Sequence, residues 1–291
     1  MARRRAHGCY IEAMPSLALV ALFAAALPNA VVLQPVANMY SRPSRDADVV
    51  SQTIYGSNVF ILEEQEGWAH IRTADEYTGW TPLPWLLKGK PYAASGKFAE
   101  VQSLFAHIYR EASVTRHEPL LTAPFETRLE LVATPDSGAK WFQVRLPDDR
   151  SGWIQAGDVS LDPRKLTISE TLEFAKRFLG LPYTWGGTSS YGYDCSGFSQ
   201  MLGRRRGILM PRDAQPQAEW IGVLPVESKE DLQSGDLLYF GSSPNKITHT
   251  GIYMGQGRFI NATTHETPMV RIDDLNDPYW TKLLVAMRRV K

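Results

Sequence analysis

Cysteine is nearly absent: the 291 residues hold two, Cys9 and Cys195. A Cys-x-x-Cys metal site and a disulfide framework are both excluded. Excess charge of either sign is missing too, with 31 Lys+Arg against 31 Asp+Glu. A dedicated nucleic-acid binder would carry a basic surplus. Helical membrane spans need ~20 apolar residues, and the apolar run Leu17–Leu27 has 11. What is there is ordinary for globular domains: 44% hydrophobic and 21% charged residues, which excludes collagen and whole-chain disorder. At ~100–200 residues per domain the length allows two or three domains. Gly 22, Pro 19 and Trp 8 suggest many turns and aromatic-rich strands, more β than helix.

The N-terminus has the order of an export signal: Arg3-Arg4-Arg5, the short apolar run, then small residues. Cleavage at Ala24-Ala25-Ala26, or at Ala30, fits the A-x-A pattern. Residues 1–26 are therefore expected to be a signal peptide, with Met14 as a second possible start; a buried N-terminal helix is the alternative. Cys9 precedes the apolar run and would be lost, leaving Cys195 unpaired in an oxidising compartment. An unpaired thiol there calls for a use.

The first half repeats itself. Val36–Tyr40 resembles Phe105–Tyr109, and Val50–Tyr55 resembles Leu120–Phe125. Gly67–Arg72 matches Lys140–Arg145, and Gly79-Trp80-Thr81 matches Gly152-Trp153-Ile154. Each copy reads as short alternating strands between turns. Units of ~60 residues with about five short strands suggest small barrels. Each copy resembles a bacterial SH3 domain, giving expected domains at 31–90 and 98–162. Trp68 and Trp141 are expected to be core residues, and Tyr77 lies in a loop where a ligand could reach it. Lys88–Lys97 reads as a linker.

Beyond residue 163 the pattern changes. Ile168–Leu179 has helical spacing, with Ile168, Leu172, Ala175, Phe178 and Leu179 on one face. Thr167 or Ser169 can cap its start and Gly180 its end. A glycine-rich loop leads to Tyr193-Asp194-Cys195-Ser196-Gly197-Phe198, and Phe198, Met201 and Leu202 continue with helical spacing. Cys195 would open that helix, where unpaired N–H groups and the dipole favour a thiolate. The expected result is a lowered thiol pKa and a nucleophile; the alternative is a small buried hydrophobe.

A cysteine nucleophile needs a base. His70 and His107 lie in the repeats and His117 in a polar loop. His249 opens a strand, His249–Gly255, which turns at Gln256 and returns as Arg258–Thr263. Hairpin pairing sets residue 251 against 261, so His249, Gly251 and Asn261 share a face. The missing side chain at Gly251 lets Asn261 lean toward His249, giving Cys-His-Asn logic. His265 has the same parity and stays open.

Pro182–Gly187 (PYTWGG), Asp194–Phe198 (DCSGF), Pro211-Arg212-Asp213, Gly235–Phe240 (GDLLYF) and His249–Gly255 (HTGIYMG) together resemble the NlpC/P60 cysteine peptidases. The resemblance covers about Thr167–Lys291, so 163–291 is the expected catalytic domain. It implies an α+β, papain-like fold. It implies Cys195 as nucleophile, His249 as base and Asn261 as third polar residue, where the family more often has His. Tyr183 is implied near the oxyanion, and Asp194 and Ser196 in the substrate channel. Asp213 and Tyr77 are implied at a pocket for the amine of an N-terminal L-Ala. An acidic partner from the first barrel is also implied there; the aligned spot, near Val50, is apolar, and Asp46 or Asp48 is the alternative.

The combined expectation is an exported peptidase of the periplasm or cell envelope. It would cut the γ-D-glutamyl–diamino acid bond of peptidoglycan or muropeptides, with no cofactor, metal, nucleic acid or stable membrane span. The alternatives are a non-catalytic wall-binding protein with a decayed peptidase domain, or the same fold acting as an N-acetylmuramoyl-L-alanine amidase or acyltransferase. Arg204-Arg205-Arg206 reads as a solvated helix end. Asn261-Ala262-Thr263 matches a glycosylation sequon but falls on the expected site.

Overall fold

A computed structural model describes residues 27–94 and 96–291. The expected signal peptide at 1–26, with Cys9, lies outside the described residues. Among these, no helix is long and apolar enough to cross a membrane.

The first seven strands are β1 (Ala30–Val32), β2 (Val36–Tyr40), β3 (Val49–Ile54), β4 (Asn58–Gln65), β5 (Trp68–Arg72), β6 (Thr78–Pro82) and β7 (Leu86–Lys88). They pair in the order β3-β2-β6-β5-β4-β1-β7. Alternation buries Ala37 and Met39 of β2 and Ala69 and Ile71 of β5, the period-2 signature of a sheet with one face inside. The next seven are β8 (Phe98–Val101), β9 (Phe105–Tyr109), β10 (Leu121–Pro124), β11 (Arg128–Leu131), β12 (Trp141–Arg145), β13 (Ser151–Gln155) and β14 (Val159–Ser160). Their order, β10-β9-β13-β12-β11-β8-β14, is that of the first sheet strand for strand. Trp68 and Trp141 lie half-buried, each meeting a tyrosine edge-on, Tyr40 and Tyr109 respectively, at 5.5 Å.

Residues 88–97 are more than a tether. Tyr92 is buried and its hydroxyl donates to the Arg145 carbonyl while accepting from Glu130 N–H. Asn58 of the first sheet holds Tyr92 through both its backbone groups, at 2.7 and 2.8 Å. Tyr55, just after β3, is inserted into the core of the second sheet. Phe125, at the matching place in the second copy, is inserted into the core of the third unit against Phe174 and Phe178.

That third unit contains α1 (Ile168–Ala175), a short pair β15 (Thr188–Ser189) and β16 (Gly192–Tyr193), α2 (Cys195–Arg205) and α3 (Ala214–Glu219). A sheet follows from β17 (Val223–Pro225), β18 (Leu237–Ser243), β19 (Lys246–Gly255), β20 (Arg258–Thr263), β21 (Met269–Asp274) and β22 (Leu284–Val290), with α4 (Pro278–Leu283) before the last strand. Its order is β17-β22-β18-β19-β20-β21. Leu237 and Tyr239 face α1 and α2; Leu238 and Phe240 face α4 and Trp280. The whole is α+β, with helices on a twisted antiparallel sheet.

Thr167, not Ser169, caps α1, in a reciprocal capping box with Glu170. The helix tightens into a 3₁₀ turn at Lys176–Phe178, after which Leu179 is exposed; Ile168, in the first turn, is exposed too, while Leu172, Ala175 and Phe178 stay buried. The arginine run is not a solvated end. Arg204 binds Glu126 at 2.7 Å and Arg205 binds buried Glu100 at 2.7 Å, both across to the second barrel.

Candidate active site

Cys195 is the first residue of α2 and is buried. Asp194 caps the helix by accepting from Gly197 N–H at 2.7 Å. The expected fall in thiol pKa does not occur. Burial and the Asp194 charge push Cys195 up to about 12, outweighing the N–H groups of Thr250 and Ser196 and the charge of Arg212, which pull down. That direction favours the thiol over the thiolate.

Thr250 lies on β19 beside His249. The imidazole stacks on Trp280 with ring centroids 5.1 Å apart and tilts against Phe240 at 5.7 Å. Enclosure by these rings lowers its pKa to about 4, against the Asn261 hydrogen bond and the Asp194 charge. The hairpin register is the expected one: Ile252 pairs with Ile260 and Tyr253 with Phe259, continuing 251 to 261. His249 Nε2 and Asn261 Oδ1 are 2.8 Å apart. A Cβ on Gly251 would sit 3.1 Å from Asn261 Cβ and 2.7 Å from the Phe259 ring, which is why the bare backbone is needed. Asn261 is fully buried, so its sequon is closed to glycosylation. His265 stacks on Tyr279 at 3.7 Å and edges Trp280; Asn261 holds the place beside His249.

The other expected residues converge on the mouth of α2. Tyr183 is half-buried, and burial plus the neighbouring Cys195 and Asp194 raise its pKa, so it stays a hydroxyl donor. Tyr77, expected in an open loop, is half-buried and donates to Asp213 Oδ2 at 3.0 Å, 136 residues away in sequence. Burial first, then Asp213, raises Tyr77 to about 12. Burial also raises Asp213, which stands at the N-cap place of α3 with no side-chain bond to the helix. Its carboxylate is thus left facing the first barrel. Val50 packs on the first barrel's core, Asp46 and Asp48 are exposed, and the first-barrel carboxylate whose charge reaches Asp213 is Asp75.

The sequence reading missed three supports. Arg212 is buried and takes Asp194 at 2.6 and 3.0 Å, Ser196 Oγ at 2.9 Å and Ser51 Oγ of β3 at 3.1 Å. Gln217, fully buried, donates to the carbonyls of Ser196 and Pro211. Asp273 accepts from Asn261 Nδ2 at 2.9 Å. Arg212 was in view inside Pro211-Arg212-Asp213; its partners from two remote segments were not.

The site comprises a thiol at a helix start, a neutral imidazole held by an amide, a protonated tyrosine and a carboxylate–tyrosine pocket. Such a set can acylate a thiol and hydrolyse the product.

The NlpC/P60 family profile matches residues 180–289, and that of the bacterial dipeptidyl-peptidase SH3 domain matches 39–83. The second match falls on the first barrel; the kinship of the second barrel rests on its strand order. The chain is 30% identical over 256 residues to a Bacillus cereus gamma-D-glutamyl-L-lysine dipeptidyl-peptidase, covering 82% of this chain and 74% of that protein. It is 29% identical over 254 residues to the Bacillus subtilis protein of that name, covering 84% and 82%. The crystal structure of an NlpC/P60 family protein from Bacillus cereus superposes with a TM-score of 0.78 at 25% identity, covering 90% of this chain and 99% of that one.

Proposed function

The chain belongs to the NlpC/P60 family, and on that premise we propose that it is a peptidoglycan peptidase that hydrolyses the γ-D-glutamyl–diamino acid bond of stem peptides by thiol catalysis. The observation that carries this is the His249–Asn261 hydrogen bond of 2.8 Å on the strand whose next residue, Thr250, turns its N–H to the Cys195 thiol at the start of α2. Relatives named gamma-D-glutamyl-L-lysine dipeptidyl-peptidase supply the substrate class.

With Asn261 Oδ1 accepting from Nε2–H, Nδ1 of His249 is the free base. Because the thiol is the resting form, its proton passes to Nδ1 as Sγ attacks the γ-carbonyl carbon of D-Glu. The oxyanion is received by the Cys195 backbone N–H and the Tyr183 hydroxyl. Collapse breaks the C–N bond, and the imidazolium protonates the departing diamino acid amine. Water, deprotonated by His249, then attacks the thioester, releasing the D-glutamyl γ-carboxylate and restoring the thiol. Asp213 and Tyr77 hold the L-Ala end of the substrate, with Asp194 and Ser196 lining the approach.

Residues 31–90 and 98–162 act as barrels that shape the cleft, and 163–291 as the catalytic unit. The first barrel's role in the cleft is supported by Ser51 and Tyr77 reaching Arg212 and Asp213. Such a substrate places the enzyme at the cell envelope or among wall fragments.

The test is mass spectrometry of products from L-Ala-γ-D-Glu-diaminopimelate peptide and, in parallel, intact sacculi, with Cys195→Ala as control. Release of L-Ala-D-Glu by the wild type alone is the expected result. Cleavage at the muramoyl–L-Ala bond would instead make it an amidase, and no cleavage with an inert Cys195 would leave a wall-binding protein.

A further inference from the structure

An asparagine amide has two ends of nearly equal size and opposite character. Which end faces His249 decides which ring nitrogen carries the proton. Here Oδ1 faces Nε2 at 2.8 Å, while Nδ2 meets two acceptors, Asp273 Oδ2 at 2.9 Å and the Arg271 carbonyl at 3.3 Å. Turning the amide over would aim its oxygen at both acceptors. It would also make Nε2 an acceptor and leave the proton on Nδ1, where it blocks the base.

Strand geometry builds the arrangement. Asn261 of β20 lies opposite Arg271 of β21, and Asp273 follows two residues on, on the same face. Asp273 is buried. Its second oxygen is held by Arg271 Nε at 2.9 Å, and Arg271 reaches Glu266 at 2.8 Å. The carboxylate is therefore fixed and its charge balanced. The titratable groups that act on His249 are Asp194 and His265; Asp273 acts on it through Asn261.

We propose that Asp273 is a positioning residue: its carboxylate selects the end of the Asn261 amide that faces His249, and so keeps Nδ1 unprotonated as the base. This rests on the proposed cysteine-peptidase reading for its effect on turnover, but its effect on the ring can be read without substrate.

The experiment uses the full chain labelled with 15N-histidine, with His249 assigned by a His249→Gln variant. The wild type should show His249 as the Nε2–H tautomer alone near neutral pH. Asp273→Asn, whose amide can present either end, and Asp273→Ser, which loses the fixed charge, should each give a mixture of tautomers. Both should lose about 10- to 100-fold in kcat with KM within about twofold. Arg271→Met keeps the carboxylate and should keep the Nε2–H tautomer. A wild-type Nδ1–H tautomer overturns the proposal even if neither variant folds. So does a folded Asp273 variant with unaltered tautomer and kcat. A tautomer shift with no turnover by the wild type would overturn the peptidase reading and not this one.

Discussion

Arg212 and Asp194 form a two-bonded ion pair, 2.6 and 3.0 Å, where the first barrel meets the nucleophile's helix. Breaking a buried pair by removing one partner leaves an uncompensated charge and costs about 3–5 kcal/mol. Arg212→Met should therefore lower unfolding free energy by that order. Adding Asp194→Asn should recover part of the loss, because Asn caps a helix as well as Asp. Chemical denaturation of the single and double variants checks this; a double variant no better than the single one would deny the coupling.

Tyr77→Phe removes the hydroxyl that donates to Asp213. A hydrogen bond of this kind contributes about 0.5–1.5 kcal/mol, so KM for the L-Ala-bearing peptide should rise roughly threefold to tenfold. The chemistry at Cys195 does not involve this bond, so kcat should stay within about twofold. Steady-state kinetics separates the two constants. A fall in kcat at constant KM would place Tyr77 in the chemical step.

Titration behaviour follows from two shifts of opposite direction. Cys195 rises to about 12 and His249 falls to about 4, so the pair rests uncharged between those values. Alkylation of Cys195 by iodoacetamide should climb about tenfold per pH unit through neutrality. A plateau below pH 7 would reveal a preformed thiolate–imidazolium pair instead. The folded pKa of His249 is depressed, so the unfolded chain takes up the proton first. The stability that neutral His249 contributes is present above its ordinary value near 6.5 and lost as pH falls toward about 4.

Gly251→Ala places a methyl group against Asn261 and the Phe259 ring. Overpacking of this sort costs about 1–3 kcal/mol. The larger effect should be on turnover: displacing Asn261 by a fraction of an ångström loosens His249, and kcat should drop about tenfold or more. Thermal unfolding together with kcat checks both. Retained kcat would mean that the backbone of β19 absorbs the methyl.

The site was legible where chemistry follows chain order. The helix start at Cys195 shows in the spacing of Phe198, Met201 and Leu202. The His249–Asn261 face follows from strand parity around Gln256. The barrels show as a repeat because the same strand order demands the same alternation. What the chain order hides is proximity between remote segments. Nothing near Arg204 and Arg205 announces that Glu126 and Glu100 await them, so a run of arginines reads as solvated surface. Tyr77 lies in a stretch that looks like open loop until Asp213 is brought to it. The thiol's pKa was misjudged for a related reason: the helix end is local and visible, whereas burial is a property of the assembled fold.

Tyr55 and Phe125 stand at matching places in the two copies, each seated in the unit that follows. A polypeptide made from its N-terminus thus presents a finished plug to a socket not yet synthesised, and each new module closes around a ring already waiting. A fragment cut to begin at Thr167 would retain Cys195, His249 and Asn261 yet leave Phe174 and Phe178 without the Phe125 ring that packs on both, so excising the catalytic unit removes part of its own interior.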